Sequence, residues 1–376
     1  MSNRNYDEPD YKLDGDSLIQ LDDGNILSYH YRKSYEYTLK IYDQKEFKVI
    51  LSIDLEKIIE QNNIVYKYNK DNKDEDEYEY DYEDERPLTS RQSNDLSVIQ
   101  LKNKSILVGL YHYLIEIKLN EKSFESKMVF KDKAIILNIN ELPDGRIILI
   151  TNKAILVLNN FILKDKYIIK DNWRIVPLSL KGRYYYGKFE QHFFSTILPD
   201  QRIILRSFST ELDYHGGCAT HPPSEFTLSK VIFLTKNFEE IKTTEEFRSD
   251  CRDLVFENLI IIQVYDDIYL YDIKTLENIK KMQIQGIFSY FEKYNENEII
   301  AYSKYEKEND LLIFRIEGND IIKSCEIKNK FNFKEVRGGG GYAIIEYNNK
   351  ILFVLKDKRI ILLCHDVAFL LNLGLK

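Results

Sequence analysis

His215, Cys218 and His221 stand three residues apart, and imidazole and thiolate are the side chains zinc prefers. A tetrahedral site needs a fourth ligand, and none stands at suitable spacing. Gly216, Gly217, Pro222 and Pro223 mark the stretch 211–229 as an irregular rim loop instead. The expectation is a loop without a metal, whose Tyr214, His215 and His221 face a partner.

Nine carboxylates crowd between Asp74 and Glu85: Asp74, Glu75, Asp76, Glu77, Glu79, Asp81, Glu83, Asp84 and Glu85. Removing them takes the formal charge from -8 to +1, so the rest of the chain is nearly neutral. Such a block cannot bury enough apolar surface to offset its ordering entropy, and residues 66–94 read as a disordered acidic insertion. Two roles stay open for it. It is either a solvated spacer or a docking arm for a basic protein partner, with Tyr78, Tyr80 and Tyr82 adding stacking contacts or phosphorylation sites.

Gly338 to Gly341 form a run of four glycines, but a strand pattern follows rather than a helix with Lys-Ser/Thr, so a tight turn fits better than a phosphate cradle. No GxSxG, HExxH or Walker-type sequence occurs. His30, His112, His192 and His365 are isolated. The expectation is no catalytic constellation, no cofactor and no metal.

The acidic balance argues against a general nucleic-acid binder, which needs a basic face. The N-terminal residues lack an apolar core segment, and no apolar run approaches the ~18 residues that span a bilayer. Cys218, Cys251, Cys325 and Cys364 lack CxxC pairing, as inert thiols of a reducing compartment do. The reading is an intracellular protein, cytoplasmic or nuclear, with no membrane partner and an oligomeric state the sequence leaves open. The 28 tyrosines follow the same bias as the Ile, Asn and Lys content and are weak evidence of a binding surface.

The elements that must position any site are repeats. SLIQLDDGNIL from Ser17 returns as SVIQLKNKSIL from Ser97, INELPDGRIIL from Ile139 and STILPDQRIIL from Ser195. Each is an apolar strand, a polar turn and a second apolar strand. Two further alternating segments complete four strands by Leu55, and similar units follow to the C-terminal end. Seven units of roughly 45 to 50 residues match the ~40 to 50 expected per propeller blade. The expectation is an all-β, single-domain propeller over residues 1–376 with about seven four-stranded blades. Six or eight remain open because residues 173–190 resist placement. Hairpin turns such as Pro143-Asp144-Gly145-Arg146 argue against a parallel β-helix. The apolar end, residues 365–376, reads as a last strand pairing with the first blade, with a partner-binding helix as the alternative.

IYLYDIKTLENIKKM, from Ile268, resembles the third-strand exit of WD40-like repeats, with Tyr271-Asp272 where Trp-Asp would stand. Ile41-Tyr42-Asp43 echoes it. The Gly-His pairs and the Asp-His-Ser/Thr-Trp set of that family are missing. The resemblance to a divergent WD40-like propeller implies a rigid scaffold that binds proteins through its loops. The alternative is a hydrolase or lyase with its site at the central channel.

Overall fold

The computed structural model describes residues 13, 15, 17–29, 38–61, 96–121, 123–175, 190–213, 224–247, 251–264, 267–283, 288–303, 311–327, 350–364 and 367–371. Buried apolar strands such as β6 (Ile106–Leu110) and β10 (Ile147–Thr151) and more exposed outer strands such as β12 (Ile162–Ile168) build seven antiparallel meanders in chain order. Blade 1 is β1 (Ser17–Gln20), β2 (Ile26–Tyr29), β3 (Thr38–Tyr42) and β4 (Val49–Asp54); blade 2 is β5 (Leu96–Gln100), β6 (Ile106–Leu110), β7 (Tyr113–Leu119) and β8 (Phe124–Lys131). Blade 3 holds β9 (Ile136–Glu141), β10 (Ile147–Thr151), β11 (Ala154–Asn159) and β12 (Ile162–Ile168); blade 4 holds β13 (Glu190–Ile197), β14 (Ile203–Asp213), β15 (Ser224–Leu234) and β16 (Glu240–Thr243). Blade 5 is β17 (Cys251–Val255), β18 (Leu259–Val264), β19 (Asp267–Asp272) and β20 (Asn278–Gln283); blade 6 is β21 (Phe288–Lys293), β22 (Glu298–Ser303), β23 (Leu311–Glu317) and β24 (Asp320–Ile327). Blade 7 has three described strands, β25 (Lys350–Val354), β26 (Ile360–Cys364) and β27 (Val367–Leu371).

Successive blades share cores. Leu27 and Ile53 of blade 1 pack with Val108 and Ile115 of blade 2, and Ile148 and Val157 of blade 3 with Leu205 and Ile232 of blade 4. The series returns on itself, because Ile26, Tyr42 and Phe47 of blade 1 share a core with Leu355 and Ile361 of blade 7. Seven meanders packed face to face in a closed order are a β-propeller. First strands lie innermost: β9 runs beside β5 and β13, and β21 beside β25.

Two sequence expectations need correction. Among the described residues of the C-terminal segment, β27 pairs not with the first blade but antiparallel with β26, from Ile360 opposite Leu371 to Cys364 opposite Val367. Of the stretch 211–229, residues 211–213 and 224–229 are not irregular: they belong to extended strands paired from Ile203 opposite Leu234 out to Asp213 opposite Ser224, and residues 214–223 lie outside the described residues.

Among the described residues one α-helix, α1 (Leu55–Gln61), follows β4. Asp54 Oδ1 accepts the Lys57 N–H at 3.2 Å, the bond of a helix N-cap, and Leu55, Ile58 and Ile59 are buried at the one-turn spacing that lines a single face. The described part of 173–190 adds no hairpin. It begins with a short 3-10 turn (Asp171–Trp173) that buries Trp173, the one tryptophan.

Candidate functional site

A turn repeated in blades 1, 2, 3, 4 and 7 joins the first strand to the second. The N–H of Leu21, Leu101, Leu142, Leu198 or Leu355 donates to the carbonyl four residues on, at 2.7–2.8 Å. The fourth residue has positive φ: Gly24, Lys104, Gly145, Gln201 and Lys358. Asp23, Asn103, Asp144, Asp200 and Asp357 stand third, and each side chain accepts the N–H two residues on at 2.9–3.1 Å. An aspartate or asparagine there replaces a lost ladder bond, which is why these residue types recur. Hydrogen bonding to Arg146, in backbone and side chain, outweighs desolvation and holds the Asp144 carboxyl below its ordinary range.

Neighbouring turns are tied together. The Lys356 N–H donates to Gln20 Oε1 at 2.6 Å, the Asp22 N–H to Gln100 Oε1 at 2.8 Å, and the Lys102 N–H to Glu141 Oε2 at 2.8 Å. In each case the second turn residue of one blade meets the last first-strand residue of the next. The relay stops at blade 3, where Pro143 fills the donating place and has no N–H. Arg202 takes over in blade 4, donating to the carbonyls of Ile273 and Lys274 in blade 5. Arg359 does the same from blade 7 to Gln44 of blade 1 at 3.0 Å.

Those carbonyls belong to the turns opened by the Tyr-Asp pairs. Asp43 Oδ1 accepts the Lys45 and Glu46 N–H groups at 2.8 and 2.7 Å, and Asp272 Oδ1 those of Lys274 and Thr275 at 2.8 and 2.7 Å. These backbone bonds lower both carboxyls below the usual range. Both pairs therefore hold the same place between third and fourth strands. All these turns gather on one face of the ring.

Strand alternation sends the remaining connections to the opposite face. Residues 62–95 run from α1 to β5, and residues 214–223 from β14 to β15. The sequence-derived contact residues Asp74, Glu75, Asp76, Glu77, Tyr78, Glu79, Tyr80, Asp81, Tyr82, Tyr214, His215 and His221 all lie outside the described residues, as do Cys218 and the four glycines. Their flanking strand ends nevertheless share one face. Cys251 and Cys325 form no disulfide among the described residues. Among the described residues no group of His, Cys, Asp and Glu could hold a metal ion, and no helix is long and apolar enough to cross a membrane.

The inner strands carry polar groups in two sets. In the first, Asn140 Nδ2 donates to Asn138 Oδ1 at 2.8 Å and to Ser195 Oγ at 2.6 Å, while the Ser195 N–H donates to Asn138 Oδ1 at 3.2 Å. The Ile139 N–H donates to Ser97 Oγ at 3.1 Å. These bonds stitch blades 2, 3 and 4 together and consume the polar groups they use.

The second set is charged. Arg206 of β14 points across to blade 5, where its Nε stands 2.6 Å from Asp253 Oδ1, close as an ion pair although off the hydrogen-bond line. Its Nη1 donates to the Cys251 carbonyl at 2.7 Å, and its guanidinium lies over the Phe194 ring. The Asp253 side chain is buried, 1% exposed. Glu292 of β21 stands in the field of Arg252, Arg206 and Asp253. Burial pushes its carboxyl up to about 7, against the pull of Arg252 and Arg206, with Asp253 adding to the rise. Sequence reasoning missed this group, because four charged residues from three blades share no local motif.

No protein-family model matches the chain, and no curated protein does. Solved structures similar to it include "BBS1N in complex with ARL6DN", at 8% identity, TM-score 0.47, covering 97% of this chain and 92% of that one. The dihydro-heme d1 dehydrogenase NirN gives 10% identity and TM-score 0.43, covering 96% of this chain and 70% of that one. A gluconolactonase from Xanthomonas campestris gives 9% identity and TM-score 0.35, covering 73% and 84%.

Proposed function

We propose that this chain is an intracellular, WD40-like scaffold that binds a protein partner through the connection face of its propeller. The carrying observation is the division of labour between faces. Turns on one side are bonded blade to blade, as Lys356 is to Gln20 and Lys102 to Glu141. The connections holding the acidic stretch and Tyr214, His215 and His221 leave from the other. A rigid frame with long connections on one side is how loops come to carry binding. The acidic stretch suits a basic partner surface, while the Asn138, Asn140 and Ser195 network reads as frame.

Site-specific photo-crosslinking tests the reading. A crosslinker at Tyr80 or Tyr214 is expected to capture a partner that the same crosslinker at Lys104, in the hairpin face, does not. Capture from Lys104 alone overturns it.

One observation favours an enzyme instead: a carboxyl that titrates near neutrality beside Arg252 is the equipment of a general acid or base. Hydrolase or lyase turnover that is lost in Glu292→Gln, while crosslinking at the connection face fails, selects that second reading.

A further inference from the structure

At the outer rim, neighbouring blades are bridged by side chains of their fourth strands. The ring of Tyr167 in β12 lies 4.5 Å from that of Phe238 in blade 4, Lys242 of β16 donates to the Leu276 carbonyl of blade 5 at 3.4 Å, and Lys280 of β20 pairs with Asp320 of blade 6. Between blades 1 and 2 the filler is α1, whose Leu55, Ile58 and Ile59 share a core against which Phe124 and Met128 of β8 pack. The boundary between blades 2 and 3 differs. Among the described residues no hydrogen bond or ion pair joins β8 to β12.

Register shows what faces this opening. Leu114 lies in the core shared with blade 3, while Ile115 and Ile117 lie in the core shared with blade 1, so Leu114, Glu116 and Lys118 of β7 look toward blade 3. Opposite them on β8 stand Phe130, Lys127 and Glu125. On blade 3, Ala154, Leu156 and Leu158 lie in the same shared core, and opposite them on β12 stand Ile168, Lys166 and Leu163. The result is a cleft with apolar walls and basic edges. Ile168 is 65% exposed and Leu163 42%, Lys127 and Lys166 are exposed, and Phe130 is half-buried at the margin of the core.

The carboxylates beside it do not neutralise these lysines. Glu116, directly opposite Lys127, is buried and accepts the Ser105 Oγ–H at 2.8 Å, and Lys118, Lys127 and Lys166 form no ion pair among the described residues. Glu125, opposite Lys118, is the acid left exposed on that wall. Apolar surface bordered by unpaired lysines is complementary to an apolar stripe bordered by carboxylates. The form of such a segment is given next door, where blade 2 packs beside leucine and isoleucine at the one-turn spacing of α1.

We propose that the outer cleft between blades 2 and 3 seats an acidic amphipathic helix of a partner protein, with its apolar stripe on Phe130, Leu163 and Ile168 and its carboxylates beside Lys127 and Lys166. The cleft is a second surface, apart from the connections that carry the acidic stretch, and it takes a partner segment of opposite charge to the one those connections suit. It does not rest on the connection-face reading.

The probe is a fluorescein-labelled peptide with leucines at one-turn spacing between glutamates, followed by fluorescence anisotropy against the full chain. Saturable binding at micromolar chain is expected, weakened by salt and about tenfold weaker in the double variants Lys127→Glu with Lys166→Glu and Leu163→Asp with Ile168→Asp. Lys104→Glu, on the hairpin face, should bind as the parent does. The lysine-reversed double variant should instead prefer the same peptide with lysines in place of glutamates, a gain that a misfolded chain could not show. The proposal is overturned if the full chain does not bind the glutamate peptide, if the cleft variants bind it equally, or if a single-stranded oligonucleotide of equal charge binds as tightly through the same lysines. Binding that emerges only after removal of residues 69–94 would assign the cleft to the chain's own acidic stretch and overturn it as well. Crosslinking from Tyr80 and Tyr214 reads the other surface, so failure of the cleft and failure of the scaffold reading are distinguishable.

Discussion

Gln20 Oε1 accepts the backbone N–H of Lys356 at 2.6 Å, joining residues 336 positions apart and closing the ring between blades 7 and 1. Lys356 Nζ adds a bond to the Leu21 carbonyl at 3.3 Å. Gln20 also braces its own turn, its Nε2 donating to the Gly24 carbonyl at 3.2 Å. No strand is shared between the two blades among the described residues, so this seam depends on such bonds and on the core around Leu355.

Gln20→Ala is expected to lower stability by about 1 kcal/mol, the usual net worth of a hydrogen bond. Gln100→Ala, at the equivalent place between blades 1 and 2, should cost a similar amount. The measurement is the urea midpoint of each variant. A null effect at Gln20 beside a normal loss at Gln100 would show that the apolar core alone closes the ring.

Glu292 gives the ring an unusual pH profile. Its carboxyl is raised in the folded state, so the folded chain holds more protons than the unfolded one between the unfolded value near ~4.3 and about 7. Its contribution is therefore fully present below the unfolded value and is lost as pH rises through about 7, with an upper bound on the order of 3 kcal/mol. Asp144 and Glu240 act oppositely, because their carboxyls are lowered and their support disappears only as pH falls through the acid range. Urea midpoints across pH should decline from weakly acidic to neutral pH, and Glu292→Gln should flatten that decline while leaving the acid limb intact.

The repeated turn was legible because its chemistry is local. A leucine, an aspartate or asparagine two residues on and a small or flexible residue after it suffice to write the hairpin, and LPDGR and LPDQR announce it in blades 3 and 4. The Tyr271-Asp272 and Tyr42-Asp43 pairs were readable for the same reason. The inner strands of blades 5 and 6 were not. CRDLV and FSYFEK place charge where a half-buried strand would alternate, because Asp253 and Glu292 answer to side chains on other blades rather than to solvent. The seven-residue α1 was equally hidden, although Leu55, Ile58 and Ile59 carry a one-turn spacing.

Removal of residues 69–94 should leave the ring folded. The stretch lies wholly within the connection from α1 to β5. Its carboxylates repel one another, and halving a flexible loop changes closure by only about 0.6 kcal/mol. The thermal transition is expected to be unchanged or slightly raised, while capture of a basic partner falls and loses its salt dependence. Collapse of the transition would make the segment part of a blade.

The last prediction uses the one tryptophan as a local reporter. Trp173 Nε1 donates to Glu240 Oε2 at 2.8 Å, and Asn172 Nδ2 donates to the same oxygen at 3.1 Å. Beside it, buried Lys230 donates its Nζ to the carbonyls of Asn172 and Arg174 at 2.9 and 2.7 Å and stands 3.5 Å from Glu246. The pair clamps the chain leaving blade 3 onto β15 and β16 of blade 4. Lys230→Met keeps the length of the side chain but leaves both carbonyls and the Glu246 carboxylate without their cation, a loss of about 2–3 kcal/mol. Glu240→Gln keeps an acceptor for the indole and should cost less. The expected signature of Lys230→Met is a red shift in tryptophan emission at denaturant concentrations where far-UV circular dichroism is still native. Coincident transitions by both probes would mean that the clamp is no weaker than the ring around it.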